Sequence, residues 1–424
     1  MSRLAPPGPQ WAGRVAVVGG GIAGTSAALS AVREGASVVV LDGGTGASTL
    51  ATGAIDLTPW HPGAASADPL PANVKALLEA LGGYVVPEGG ARILTTAGVA
   101  RPARGHDAAL LDVARLGQGR VAIVSCRRPG WRAGTLASAW GAGFEKLEAA
   151  LLRYTDEETI PDADFAARHD DENRLGWLGE RLREGLARAQ GRWDAIVLPP
   201  ALGVDRPRAQ ALSLRVGVPC GEAMALPGGP AGLRFERARD RALRANGIQH
   251  VRVRALAVDR VEGGWRVAAE DEQAFEAHAI VVATGGFVGG GLAYTPSEAT
   301  LATALPPGSR LPFRLTLSAS LPLGANGRPL ELPGSLFGFP PERLAGPLAR
   351  DRVIDRVGVL TDRETGVRAP DGAFAAGEVV ADSPRTWLSA LSAGARAGAL
   401  AAREALKAPS SSVRQAGEAS ANRL

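Results

Sequence analysis

A turn of six residues, Gly19-Gly20-Gly21-Ile22-Ala23-Gly24, constrains this chain more than any other stretch. It follows Val15–Val18, a continuous apolar run of the kind found in a parallel strand covered on both faces. It opens Ala23–Arg33, whose small and apolar residues suit a close-packed helix; Gly35 ends that helix and Val38–Leu41 reads as the next strand. Each glycine then has its own task. Gly19 permits the tight turn, Gly21 lets the backbone meet a pyrophosphate, and Gly24 lets helix and strand pack closely. The pyrophosphate sits at the helix N-terminus, where unpaired amides and the helix dipole favour negative charge. Asp42 stands 18 residues after Gly24, at the end of the second strand, where a carboxylate accepts from a ribose hydroxyl. This context predicts an adenine dinucleotide, either NAD or FAD.

The remaining segments favour FAD. A flavin reductase fed by NAD(P)H normally carries two such fingerprints, and the later "GGFVGGGLAY" follows a strand but lacks a following helix and an acidic strand end. The stretch "ASTLATGAIDLTP" (47–59) crowds small hydrogen-bonding residues just past the second strand. There Ser48, Thr52 and Gly53 are expected to meet a flavin's pyrophosphate, ribitol and ring at close range. "IVVATGG" ends a strand at Thr284-Gly285, and "GAFAAGEVV" ends one at Ala-Gly-Glu, bringing Gly377 to the ribitol with Glu378 following. The final helix begins near Thr386–Ser389, so its N-terminal amides could face the flavin's pyrimidine carbonyl. Noncovalent FAD is the expected cofactor, with FMN the alternative.

The fold class expected is α/β: a Rossmann-like FAD-binding domain with an antiparallel β-meander and an inserted α/β cap. The flavin domain is discontinuous, over 1–60, 225–300 and 351–408. "RVAIVSC" (120–126) and "WDAIVLPP" (193–200) read as strands of the cap, 95–224, with helices at about 133–153 and 173–190. Residues 250–270 alternate and turn at Gly263-Gly264, as in a meander. Residues 301–350 read as an irregular insertion and 409–424 as a disordered tail.

Totals exclude several classes. A net charge of +4 over 424 residues, with no basic run, argues against nucleic-acid binding, while a mildly cationic surface suits a small anionic substrate. The longest apolar run is short and broken by glycines, so no direct membrane span is expected. Cys126 and Cys220 make no metal pattern and point to a reduced, cytoplasmic setting as buried thiols. No metal-ligand spacing is present. His61 beside Trp60, and Arg310, Arg314 and Arg385, are the remaining candidates for acid–base or anion-binding roles; the catalytic residues stay unassigned.

With "VVGGGIAGTSAAL", "STLATGAIDL", "WDAIVLPPALGV", "LPGGPAGLRFERARDRAL", "IVVATGGFVGGGL" and "GVLTD…FAAGEVV", the chain resembles the fumarate reductase/succinate dehydrogenase-type FAD oxidoreductases. Within them it is most similar to the B subunits of anaerobic glycerol-3-phosphate dehydrogenases. The resemblance spans about residues 15–400. It implies oxidation of sn-glycerol 3-phosphate to dihydroxyacetone phosphate, with electrons leaving through partner subunits to quinone. The partners implied are a second flavoprotein subunit and an iron–sulfur or membrane-anchor subunit, with peripheral association at the inner face of the membrane. Two other readings stay open: a flavin-binding relay or structural subunit, and a stand-alone fumarate-reductase-like dehydrogenase of another small acid. After the Ala-Gly-Glu strand that family is glycine-rich, whereas here "VADSPRTWLSALSAGARAG" carries Ser, Ala and Arg and keeps Gly394 and Gly398.

Overall fold

A computed structural model describes residues 14–56, 70–114, 116, 119–296, 314–321, 327–328, 330–333 and 356–408. They divide into two compact units, drawn from Met1–Gly44, Asn246–Asp382 and Ala393–Leu424 in one and from Thr45–Ala245 and Ser383–Ser392 in the other.

The first unit is built on a five-stranded sheet in the order Gln249–Val251, Ser37–Leu41, Arg14–Val18, Ala279–Val282, Phe374–Ala375. Every pairing in it is parallel. Val15, Ala16 and Val17 are fully buried, because an inner strand of a parallel sheet is covered on both faces. The helix Ile22–Arg33 returns the chain from Arg14–Val18 to Ser37–Leu41. An antiparallel meander, Ala255–Val261, Gly264–Ala269 and Ala274–Ala277, lies between the third and fourth strands in the chain. The α/β, Rossmann-like architecture with a meander is thus the observed one.

The second unit has a parallel four-stranded sheet of its own, ordered Cys220–Glu222, Ala195–Leu198, Val121–Val124, Phe144–Leu147. Its two central strands are buried on both faces in strict alternation. Ala122, Val124, Ile196 and Leu198 join the core under helices Glu172–Ala189 and Ala209–Val216, while Val121, Ile123, Ala195 and Val197 join the core around Trp131 and Leu136.

Four expectations change. The helix at about 133–153 ends at Trp140, because Gly141 (φ +101°) and Gly143 (φ +89°) turn the chain into the strand Phe144–Leu147. Gln249–Val251 belongs to the parallel sheet and not to the meander, through its pairing with Val39–Leu41. Within 301–350, the described residues hold regular structure: Arg314–Ala319 pairs with both Leu292–Pro296 and Leu330–Pro333, and Leu317 and Ala319 alternate into the core. Finally, residues 45–56 and the helix Pro230–Ala245 group with the second unit, whereas the sequence places them with the flavin domain. The helix is bound to that unit at Gly232, where an added Cβ would lie 1.7 Å from the Thr49 carbonyl oxygen, and through Arg234. The tail 409–424 lies outside the described residues.

Candidate dinucleotide-binding site

In the first sheet the strand order reverses between Arg14–Val18 and Ala279–Val282, and the glycine turn leaves the carboxyl end of the former. Open α/β sheets bind ligands in the crevice at such a point. The turn is closed by contacts that admit no side chain. Gly19 sits at φ +116°, and a Cβ there would lie 2.2 Å from the Ala283 carbonyl oxygen; one on Gly24 would lie 1.8 Å from the Gly19 carbonyl oxygen. Gly21 is the N-cap of Ile22–Arg33 at φ −69°, with no side chain capping the helix and no acid in its first turn. Ile22 and Ala23 begin the helix and are buried. A helix start at a sheet's switch point suits an anion.

Asp42 is buried at the end of the neighbouring strand, with its carboxyl carbon 2.4 Å from where a Cβ on Gly20 would stand. Its Oδ1 accepts from the Gly44 amide at 3.3 Å, and His250 Nε2 lies 3.1 Å from its Oδ2. His250 was missed as a site residue. It sits 208 positions away, and only the pairing of Gln249–Val251 beside Ser37–Leu41 brings it to Asp42. No local pattern signals that partnership.

Two further predicted segments join the turn. Gly19 meets Ala283 and Thr284 at the end of the fourth strand, and the Glu378 carboxylate lies over Gly286, 2.5 Å from a would-be Cβ. Gly285 (φ +79°) and Gly377 (φ +81°) take left-handed conformations that favour glycine. The Thr284 hydroxyl is buried with no partner among the described residues. So Gly19, Gly20, Gly21, Ile22, Ala23, Gly24, Asp42, Thr284, Gly285, Gly377 and Glu378 form one neighbourhood. A turn that excludes side chains, a buried acceptor at the next strand end and an orphaned hydroxyl fit an adenine dinucleotide. The turn amides would hold the pyrophosphate and Asp42 a ribose hydroxyl.

Ser48, Thr52 and Gly53 belong to the second unit, where the structure gives their small size a local reason. Ser48 lies buried in the short 3-10 helix Ala47–Leu50, which packs on Gly232. Gly53, at φ +95°, is wedged against Asp107, Leu110 and Ala231, and its carbonyl accepts from the Asp107 amide at 2.7 Å. Thr52 is half-buried beside it. Gly394 and Gly398 likewise serve packing. Added Cβ atoms would lie 2.1 Å from the Ala23 carbonyl oxygen and 2.0 Å from that of Ala27, so the first-unit part of the helix Trp387–Lys407 presses directly on Ile22–Arg33.

His61 and Arg310 lie outside the described residues; Arg314 opens a strand, and Arg385 precedes the last helix in the second unit. Burial pushes the free thiols of Cys126 and Cys220 up to about 12, so neither is a thiolate at neutral pH. Among the described residues no helix is long and apolar enough to cross a membrane.

No protein-family model and no curated protein matches the sequence. Among solved structures, the chain is similar to an open conformation of a flavocytochrome c3 fumarate reductase, at 13% identity and TM-score 0.35, over 94% of this chain and 79% of that one. It is similar to 3-ketosteroid delta1-dehydrogenase from Sterolibacterium denitrificans at 13% identity and TM-score 0.34, over 92% and 99%. A flavin monooxygenase from Stenotrophomonas maltophilia aligns at 15% identity and TM-score 0.22, over 67% of this chain, which spans 41% of that protein's length. None of the three is a glycerol-3-phosphate dehydrogenase, and likenesses this slight leave the site to be read from its own geometry.

Proposed function

We propose that this chain is an FAD-dependent oxidoreductase subunit that takes part in oxidising sn-glycerol 3-phosphate, with electrons passed through partner subunits to quinone. The observation that carries the flavin half is the glycine turn at the switch point of a parallel sheet, with Asp42 buried at the adjoining strand end. Bound there, FAD would supply hydride acceptance. The chain's residues bind and orient: the turn's backbone holds the pyrophosphate, Asp42 accepts from a ribose, and His250 holds Asp42 in place. The substrate and the partners rest on the sequence resemblance.

A second reading is a flavin-binding relay, in which a partner subunit supplies the base that takes the alcohol proton as hydride leaves, help worth about 10²–10⁴-fold.

Heat release and chromatography of the purified chain's chromophore should yield FAD; a colourless protein that cannot be reconstituted ends the proposal. Anaerobic stopped-flow mixing with glycerol 3-phosphate separates the two readings. Bleaching within milliseconds by the chain alone assigns it the oxidation; bleaching only after partner subunits are added assigns it the relay.

A further inference from the structure

A cavity of about 560 Å³ lies wholly within the second unit, among Tyr84, Asp107, Arg206, Pro207, Arg234 and Arg241. That is the size of a metabolite site. One wall comes from the second sheet: the loop leaving the carboxyl end of Ala195–Leu198 supplies Asp205, Arg206 and Pro207.

That loop is held rigidly. Glu222, at the end of Cys220–Glu222, accepts from the amides of Ala201 (2.6 Å) and Leu202. Arg234 donates to the Gly203 carbonyl at 2.6 Å, and Asp170 accepts from the amides of Val204 and Asp205 at 3.0 and 3.1 Å. Gly203 itself, at φ +84°, has no room for a side chain. Such a loop presents Arg206 on a backbone with little ordering left to lose on binding, only the exposed side chain having to be fixed.

The charges then sort themselves. Arg234 is spent inside the wall: Nε donates to Asp107 at 2.7 Å and Nη2 to Glu222 at 2.8 Å, all three side chains being buried. Asp205 lies 3.7 Å from Arg237. Arg241 commits Nη1 to the Asp205 carbonyl at 2.7 Å, and Arg206 makes no hydrogen bond or ion pair with the described residues. The uncommitted charge on the lining is therefore positive, from two guanidiniums suited to planar, bidentate recognition of an oxyanion. A neutral polar group comes from the half-buried Tyr84, whose hydroxyl desolvation and Asp107 keep protonated, so that it can donate to a hydroxylated ligand.

We propose that this cavity binds a small hydroxylated oxyanion, a phosphate monoester or carboxylate, with Arg206 and Arg241 on the anion and Tyr84 on the hydroxyls. The inference is independent of the flavin reading, since every residue in it belongs to the second unit and its test needs no flavin chemistry.

Calorimetric titration of the full chain with glycerol 3-phosphate, glycerate, inorganic phosphate and glycerol tests it. Glycerol 3-phosphate, glycerate or both should bind, whichever does so naming the anion, and glycerol should not. Arg206→Ala and Arg241→Ala should each weaken the binding anion about tenfold, the value of a charge-assisted hydrogen bond. Both side chains are exposed, so the melting temperature should hold. Tyr84→Phe should weaken the hydroxylated anions and leave inorganic phosphate unchanged. No binding of either organic anion at millimolar concentration, or affinities untouched by both arginine substitutions, would overturn the assignment. An equal loss for every probe in Tyr84→Phe would overturn the hydroxyl contact.

Discussion

Two parallel sheets in this chain meet the same topological rule with opposite chemistry. Both reverse their strand order once, and each candidate site takes residues from a loop at a strand's carboxyl end. In the first unit those loops are stripped of side chains: Gly19, Gly20 and Gly24 abut backbone or carboxylate so closely that a methyl group would collide. In the second unit the cavity is walled with charge, Arg234 lying buried between Asp107 and Glu222 with the exposed Arg206 and Arg241 beside them. Backbone amides at a bare turn recognise a diphosphate by close approach. A side-chain wall recognises by charge and shape, and it must neutralise itself where it is buried. On the two assignments proposed above, the sheets separate recognition by backbone from recognition by side chain.

The sharpest test replaces Gly21 by valine. Its backbone angles are open to any residue, so the fold should survive while flavin binding, read by absorbance after gel filtration, is lost altogether. A yellow Gly21→Val protein would show that the turn does not hold the cofactor.

Arg234→Met probes the other sheet. It leaves Asp107 and Glu222 buried without their cation, and breaking such a cluster costs about 3–5 kcal/mol. Burial alone would lower the Arg234 pKa, yet the two carboxylates outweigh it and raise it, so the cation is intact at every working pH. Denaturant titration should show the loss; a change below about 1 kcal/mol would mean the wall does not depend on its charge.

His169 sharpens the contrast through pH. It is fully buried, and desolvation, aided by Arg174, pushes its pKa down from 6.5 to about 4. Between those values the unfolded chain binds the proton and the folded chain does not, so stability falls as pH drops through that window. The contribution is about 3 kcal/mol at most, from 1.36 kcal/mol per unit. Melting curves from pH 7 to pH 4 should slope less steeply in His169→Gln than in the parent; parallel slopes would remove His169 as the cause.

The smallest effect belongs to the helix contact in the first unit. Gly394→Ala inserts a methyl group 2.1 Å from the Ala23 carbonyl oxygen, and overpacking of this kind costs about 1–3 kcal/mol. A shift of the melting temperature in the opposite direction would show that the two helices are free to part.

What the residue string determined by itself was local. Strand, turn and helix over 14–44 are legible because one short window holds the apolar run, the glycines at required spacings and the acid at the next strand's end. The helix Glu172–Ala189 is equally legible, since Leu175, Leu178 and Leu182 share one face and all are fully buried. The strand Phe144–Leu147 was hidden because "FEKL" carries charge at its two middle positions, which an edge strand tolerates and a pattern search discounts. Only the tertiary structure decided the partnerships: His250 with Asp42, Arg234 with Asp107 across 127 positions, and Gly53 and Gly232 as packing glycines. The physical reason is range. Dihedral preference and burial periodicity act within a turn or two of the chain, whereas an ion pair or a Cβ-sized gap depends on which distant segments the sheets bring side by side.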